Sequence, residues 1–121
     1  MEELTSQVEG YMNNEEACLQ AWYRDYSALA TIPGEPVARK LNMDEMRQAF
    51  LAWLERNRET LFNLICVEWD FARRRKEDRF QNRVLLAAAL ADFLLSSAVA
   101  FPAPITTSVL LVKTGLDELC S

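Results

Sequence analysis

The chain contains no histidine. That absence removes Ser-His-Asp triads, Cys-His pairs and histidine general bases. It also removes histidine zinc ligands and the Glu-x-x-His pairs of four-helix di-iron proteins. Glycine is nearly missing too: Gly10, Gly34 and Gly115 stand far apart, so no glycine-rich phosphate loop can form. The three cysteines, Cys18, Cys66 and Cys120, are odd in number, widely spaced and include no CxxC. A secreted disulfide scaffold needs an even, denser set. The spacing predicts free thiols in a reducing cytosol, each behaving as a small buried hydrophobe. The opening Met1-Glu2-Glu3 has neither a basic nor an apolar stretch of the kind a signal peptide needs. A cytoplasmic protein without a cofactor is expected.

The 121 residues are half apolar, enough for one core without staples. A net charge of −5 argues against bulk affinity for nucleic acid, which needs a positive footprint. Proline and glycine are absent from Val37 to Phe101, which favours helix because the two main breakers are missing. No strand period and no internal repeat is visible. The prediction is an all-α single domain, a small helical bundle of about four to five helices.

Residues 1–30 form an acidic amphipathic arm. Leu4, Val8, Tyr11, Cys18, Trp22, Tyr26 and Leu29 follow helical steps along one face. Asn13 with Glu16 has the form of a capping box, which would split the arm in two. Residues 31–41 are a Pro/Gly loop around Pro33-Gly34-Glu35-Pro36. Residues 42–121 are the helical core, ending in an apolar helix pair. Its start is marked by Asn42 with Glu45 three residues on. The stripe Met46, Phe50, Trp53, Leu54, Leu61, Leu64, Ile65, Trp69 and Ala72 runs on in phase across the polar turn from Asn57 to Thr60, so one long central helix is expected at least as much as a break near Asn57, and both readings stay open. Asp78 with Gln81 offers the cap of the next helix. Trp53, Leu61, Ile65, Leu86, Leu90, Leu94, Val109 and Val112 are the predicted core.

Three segments could carry function. From Val84 to Phe101 only Asp92, Ser96 and Ser97 are polar. A helix apolar all round is buried in a core or in a membrane, and 18 residues at 1.5 Å each approach the thickness of a bilayer core. Asp92, mid-segment, costs about 2.5–3.5 kcal/mol on the insertion scale, which nearly cancels the apolar gain. The preferred reading is therefore a central helix of a bundle, with Asp92 as a candidate buried polar group near a surface groove or paired with an arginine of the second helix or the basic run, Arg47, Arg56 and Arg58 being candidates. The second segment is the basic run Arg73, Arg74, Arg75, Lys76 and Arg79. Residues 73–83 hold six positive and two negative side chains, whereas residues 1–30 hold one positive and six negative. Such a run is ordinarily a solvated helix end; its functional version is docking on the acidic arm of the same or another copy. The third is Trp22, Tyr23 and Tyr26, whose large apolar bodies with polar tips suit an interface if the arm reaches outward and a core if it folds back.

No catalytic or metal set emerges. The expected function is a non-enzymatic helical module for protein-protein interaction or self-association, an adaptor or accessory subunit whose partner is a protein or itself. The alternatives are a membrane-associated protein inserting residues 84–101, and a histidine-free metal-dependent hydrolase built on helix carboxylates.

Overall fold

The computed structural model describes residues 2–30, 42–97 and 103–120. Among these, 86% are helical and no strand occurs, so the all-α expectation holds. The helix count is corrected. Eight α-helical segments are present among the described residues: α1 (Glu2–Met12), α2 (Glu15–Ala30), α3 (Met43–Arg56), α4 (Arg58–Leu61), α5 (Phe71–Arg74), α6 (Arg83–Ser96), α7 (Pro104–Thr114) and α8 (Leu116–Leu119). A π-helical stretch (Phe62–Glu68) follows α4, and a 3₁₀ turn (Asp78–Gln81) precedes α6. The excess comes from single turns, α4, α5 and α8, set off from longer neighbours at Asn57, Asp70 and Gly115.

Side-chain caps explain most starts. Asn42 and Glu45 form the predicted reciprocal box: Glu45 N–H donates to Asn42 Oδ1 at 2.8 Å, and Asn42 N–H to Glu45 Oε1 at 3.3 Å. The other two caps lie off the predicted residue. Asn14, not Asn13, accepts from Ala17 N–H at 3.0 Å. Asn82, not Asp78, caps α6, accepting from the N–H groups of Val84 and Leu85. Asp78 instead opens the 3₁₀ turn.

The expected long central helix is broken twice. Asn57 leaves helical geometry at φ −110° and ψ 13°. Asp70 then adopts the left-handed conformation at φ 58°, which Asp tolerates better than most side chains. Between them the ladder widens, and Trp69 N–H reaches Leu64 O at 2.9 Å, five residues back. The stripe stays buried from Met46 through Trp69, with Leu54 half-buried. The left-handed residue then resets its phase: Phe71 turns inward and Ala72, the predicted continuation, is exposed.

The centre of the fold is α7 rather than α6. Seven consecutive residues, Thr106 to Val112, are buried. Three of them are polar. Thr106 Oγ1 donates to Ala103 O at 3.2 Å and Ser108 Oγ to Pro104 O at 2.8 Å, so these hydroxyls are satisfied inside the helix. Around α7 pack α6, α1 and α2, and α3 packs on α2. The small residues Ala87, Ala88 and Ala91 of α6 are buried, and α6 lies along α7 over much of its length. The other face of α6 is open: Leu85, Asp92, Leu95 and Ser96 are exposed. Seven of the eight predicted core residues are buried, and Leu86 is half-buried.

Residues 2–30 are not an arm. Val8, Cys18, Leu19 and Trp22 are buried to within 1%, and α1 and α2 supply much of the cover on α7. The expected loop at 31–41 lies outside the described residues. The helix expected over 84–101 stops at Ser96, and Ser97 is extended at ψ 147°; residues 98–101 lie outside the description. No helix among the described residues is long and apolar enough to cross a membrane.

The cysteine expectation is corrected as well. Cys66 and Cys120 form a disulfide across 54 residues, and Cys18 is the free thiol. Spacing could not show this pairing, because it arises when α8 folds back over the π-helical stretch. The bond removes the free-thiol argument for a reducing compartment. Closing a loop of 54 residues restricts the unfolded chain by about 4 kcal/mol in the chain-entropy view. The unreduced, denatured chain should therefore titrate one thiol and the reduced chain three. Cys120→Ser should lower the unfolding free energy by roughly 2–4 kcal/mol. Three thiols without reductant would show that the bond does not form.

Candidate functional site

Arg74, Arg79 and Asp92 come from two separately flagged segments, and the fold brings them to one groove. It has a volume of about 370 Å³ and lies between the α5–3₁₀ connection and the open face of α6. Trp69, Phe80 and Phe93 line it with Ala89 and Ser96. Trp69 lies 6.5 Å from Phe80 and 6.1 Å from Phe93, ring to ring. Within residues 73–83 Phe80 is the only aromatic. Trp69 comes from just before the run and Phe93 from α6, and the arrival of α6 is not signalled by local spacing.

The local backbone makes this possible. Asp70 in its left-handed conformation reverses the chain just after Trp69, and its carbonyl accepts from the N–H groups of Arg73 and Arg74 at 3.1 Å each. Arg74 thereby swings back over Trp69. Its Nε donates to Trp69 O at 2.6 Å, and its guanidinium carbon lies 5.0 Å from the ring centroid. Arg79 stacks likewise, 4.5 Å over Phe80, with Nε 3.2 Å from Glu77. A guanidinium held over a ring by cation–π attraction has fewer positions open to it, and its planar fork is the group suited to bidentate carboxylate recognition.

The remaining basic residues go elsewhere. Arg73 pairs with Asp70 at 3.4 Å. Arg75 pairs with Asp117 at 2.6 Å and lies 6.0 Å over Phe71. Lys76 is exposed. Arg83 Nη2 donates to Val112 O at 2.8 Å, close to the C-terminal end of α7, where cations suit the helix dipole. Among the described residues no ion pair joins the basic run to residues 2–30; Glu15 pairs with Arg47 of α3 at 3.0 Å.

Asp92 is exposed rather than buried, and it lines a surface groove with two arginines of the basic run, one of the settings expected for it. The three arginines named as candidates are engaged elsewhere: Arg47 with Glu15 and Asp44, Arg56 with the Tyr26 hydroxyl, and Arg58 with Glu55. The reason is the position of α6, which forms one wall of the bundle and not its centre, so a carboxylate on its open face keeps its water. Trp22 belongs to the core. It stacks on Tyr26 at 4.8 Å and meets Phe50 and Trp53 edge-on, while its indole N–H has no hydrogen-bond partner among the described residues. Tyr23 and Tyr26 are half-buried, and Tyr26 accepts from Arg56 Nη2 at 2.8 Å.

Two other hollows are larger. One of about 530 Å³ lies between α1 and the start of α7 and contains one acidic or basic side chain, Asp25. The other, about 470 Å³, holds Arg75, Arg83 and Lys113, of which the first two are engaged as above. Neither sets two arginines on aromatic rings beside a carboxylate outside any ion pair among the described residues, as the groove of Arg74, Arg79 and Asp92 does. Among the described residues no three carboxylates or cysteines converge as metal ligands, so the hydrolase alternative finds no ligand set there. No family model, curated protein or solved structure matches the chain.

Cys18 is no nucleophile in this setting. Burial pushes its thiol from the ordinary 9.0 up to about 12; Lys113 pulls it down and Glu15 pushes it further up. Its Sγ lies 3.7 Å from Thr106 O as a weak donor. Below about pH 9 the thiol is neutral folded and unfolded, and its contribution to stability is complete. As pH climbs from about 9 towards 12 the unfolded thiol ionises while the folded one does not, so stability falls. Unfolding free energies measured across that window should decline less steeply in Cys18→Ala, and an unchanged slope would contradict the buried neutral thiol.

Asp92→Leu offers a second check. An exposed carboxylate outside any hydrogen bond or ion pair among the described residues should be replaceable within about 0.5 kcal/mol. A loss of about 3–5 kcal/mol, the cost of breaking a buried pair, would place Asp92 in the interior after all.

Proposed function

We propose that the chain is a non-enzymatic helical interaction module whose Arg74–Arg79 groove docks a carboxylate-bearing segment of a protein partner. The observation that carries this reading is the pair of guanidiniums held over buried aromatic rings in a groove that the Asp92 carboxylate also lines. A merely solvated basic run has no need to lie on rings. The backbone around Trp69 supports the same reading. A π-helical stretch and a left-handed non-glycine residue both depart from relaxed geometry, and such departures concentrate at functional sites. Fixed aromatic and arginine side chains are also the residue types that dominate interface energetics.

Without histidine, and with no carboxylate set converging among the described residues, Asp92 is the one carboxylate that lines this groove. Asp92 and two arginines can orient a charged ligand but form no activated pair. Chemical cross-linking in native lysate, with wild-type protein and the Arg74→Ala/Arg79→Ala variant compared by mass spectrometry, tests the assignment. The expected result is a protein captured by the wild type and depleted about tenfold or more with the variant, equivalent to losing about 1.4 kcal/mol. Arg58→Ala, remote from the groove, should capture normally. Equal capture by all three proteins would remove the groove from the interface.

A further inference from the structure

We infer that the groove's occupant is α2 of a second copy of this chain, with Glu16 meeting Arg74 and Arg79 while Arg24 meets Asp92. This rests on the groove being a docking site and adds the partner. The argument is charge complementarity. Glu16, Gln20 and Arg24 are all exposed and lie four residues apart, so they form one stripe along α2, running from negative through neutral to positive; Arg24 has only a long, exposed contact with its neighbour Asp25, at 3.6 Å. Gln20 Nε2 donates to Glu16 Oε1 at 3.4 Å, so the first two act as one unit. Glu16 and Arg24, eight residues apart, are separated by roughly 12 Å along the helix. The groove is lined by the opposite signs, Arg74 and Arg79 together with the Asp92 carboxylate; Glu77 offsets part of the Arg79 charge, which leaves Arg74 as the main cation for Glu16. A purely acidic ligand would leave Asp92 opposed by like charge, whereas this stripe answers both signs.

One copy cannot close the contact on itself. The opposite, buried face of α2 is committed to α3 and α7, and no ion pair links α2 to the basic run among the described residues. Each copy carries both a groove and a stripe, so a two-fold arrangement would make the same contact twice. Two modest ion-pair clusters, each doubled by symmetry, give an association that salt weakens.

The test is a charge exchange followed by native mass spectrometry and sedimentation. Wild-type protein should dimerise, with a dissociation constant that rises about tenfold or more as added salt shortens the screening length from about 10 Å to about 3 Å. Arg74→Glu/Arg79→Glu and Glu16→Lys should each be monomeric. Their equimolar mixture should restore a mixed dimer, because both of its contacts are again complementary. Arg79→Glu alone, which spares the Arg74 hydrogen bond to Trp69, should weaken the dimer in the same direction and guards against misfolding of the double variant. A wild type that stays monomeric up to about 100 μM, or a mixture that stays monomeric while circular dichroism shows both variants folded, overturns the self-docking. If that monomer still captures a foreign protein through Arg74 and Arg79, only the occupant was wrong. If the two arginines make no difference to capture either, the docking site itself falls.

Discussion

Burial of α7 on every side is the constraint from which the rest of the structure follows. A helix enclosed from Thr106 to Val112 needs neighbours around its whole circumference, and α6, α1 and α2 provide them. This explains why the first thirty residues cannot remain an acidic arm. Their apolar face is the lid of the core, and their carboxylates are left on the outer side. It also explains how polar residues survive at the centre. Thr106 and Ser108 turn their hydroxyls back to carbonyls one turn earlier, so small side chains can pass close to a neighbouring backbone without an orphaned donor.

The same constraint accounts for what sequence could and could not show. Periodicity identified helices and most of the interior, because burial follows the 3.6-residue repeat wherever the backbone is regular. It misassigned the centre because hydropathy ranks α6, with its many leucines and alanines, above α7, with its Thr-Thr-Ser. Position in a bundle depends on how many neighbours a helix has, and composition does not encode that. The stripe was legible up to Trp69 and then failed at one residue. Asp70 adopts φ 58°, and a single left-handed residue rotates everything beyond it, turning Phe71 in and Ala72 out. Caps were legible to within one residue at Asn14, and at Asn42 to the atom, because the reciprocal box uses both side chains.

The groove was half legible. Its charges were visible as a basic run and an isolated aspartate, but their convergence was not, since it depends on the Asp70 reversal and on α6 being a wall. An arginine stacked on a ring is worth about 0.5–1 kcal/mol at an exposed site, too little to organise a fold. The rings are placed first, by burial of Trp69 and Phe80, and the guanidiniums settle on them. The groove is thus a product of core packing.

The segment that carries Trp69 is also held at both ends by one element. Cys66, before it, is bonded to Cys120 just beyond α8, and Arg75, after it, is paired with Asp117 within α8. Leu116 and Leu119 anchor α8 itself in the core. The final helical turn therefore fastens the two ends of the bend at Asp70, where relaxed geometry alone would let the backbone straighten. A bend fixed in this way presents Arg74 already folded back on its ring. Association then has less side-chain freedom to remove, which matters most when the contacts are a few partly exposed charges. The disulfide and the groove, at first sight unrelated features, meet in that bend: the covalent clasp holds the backbone, the backbone holds the aromatic ring, and the ring holds the cation.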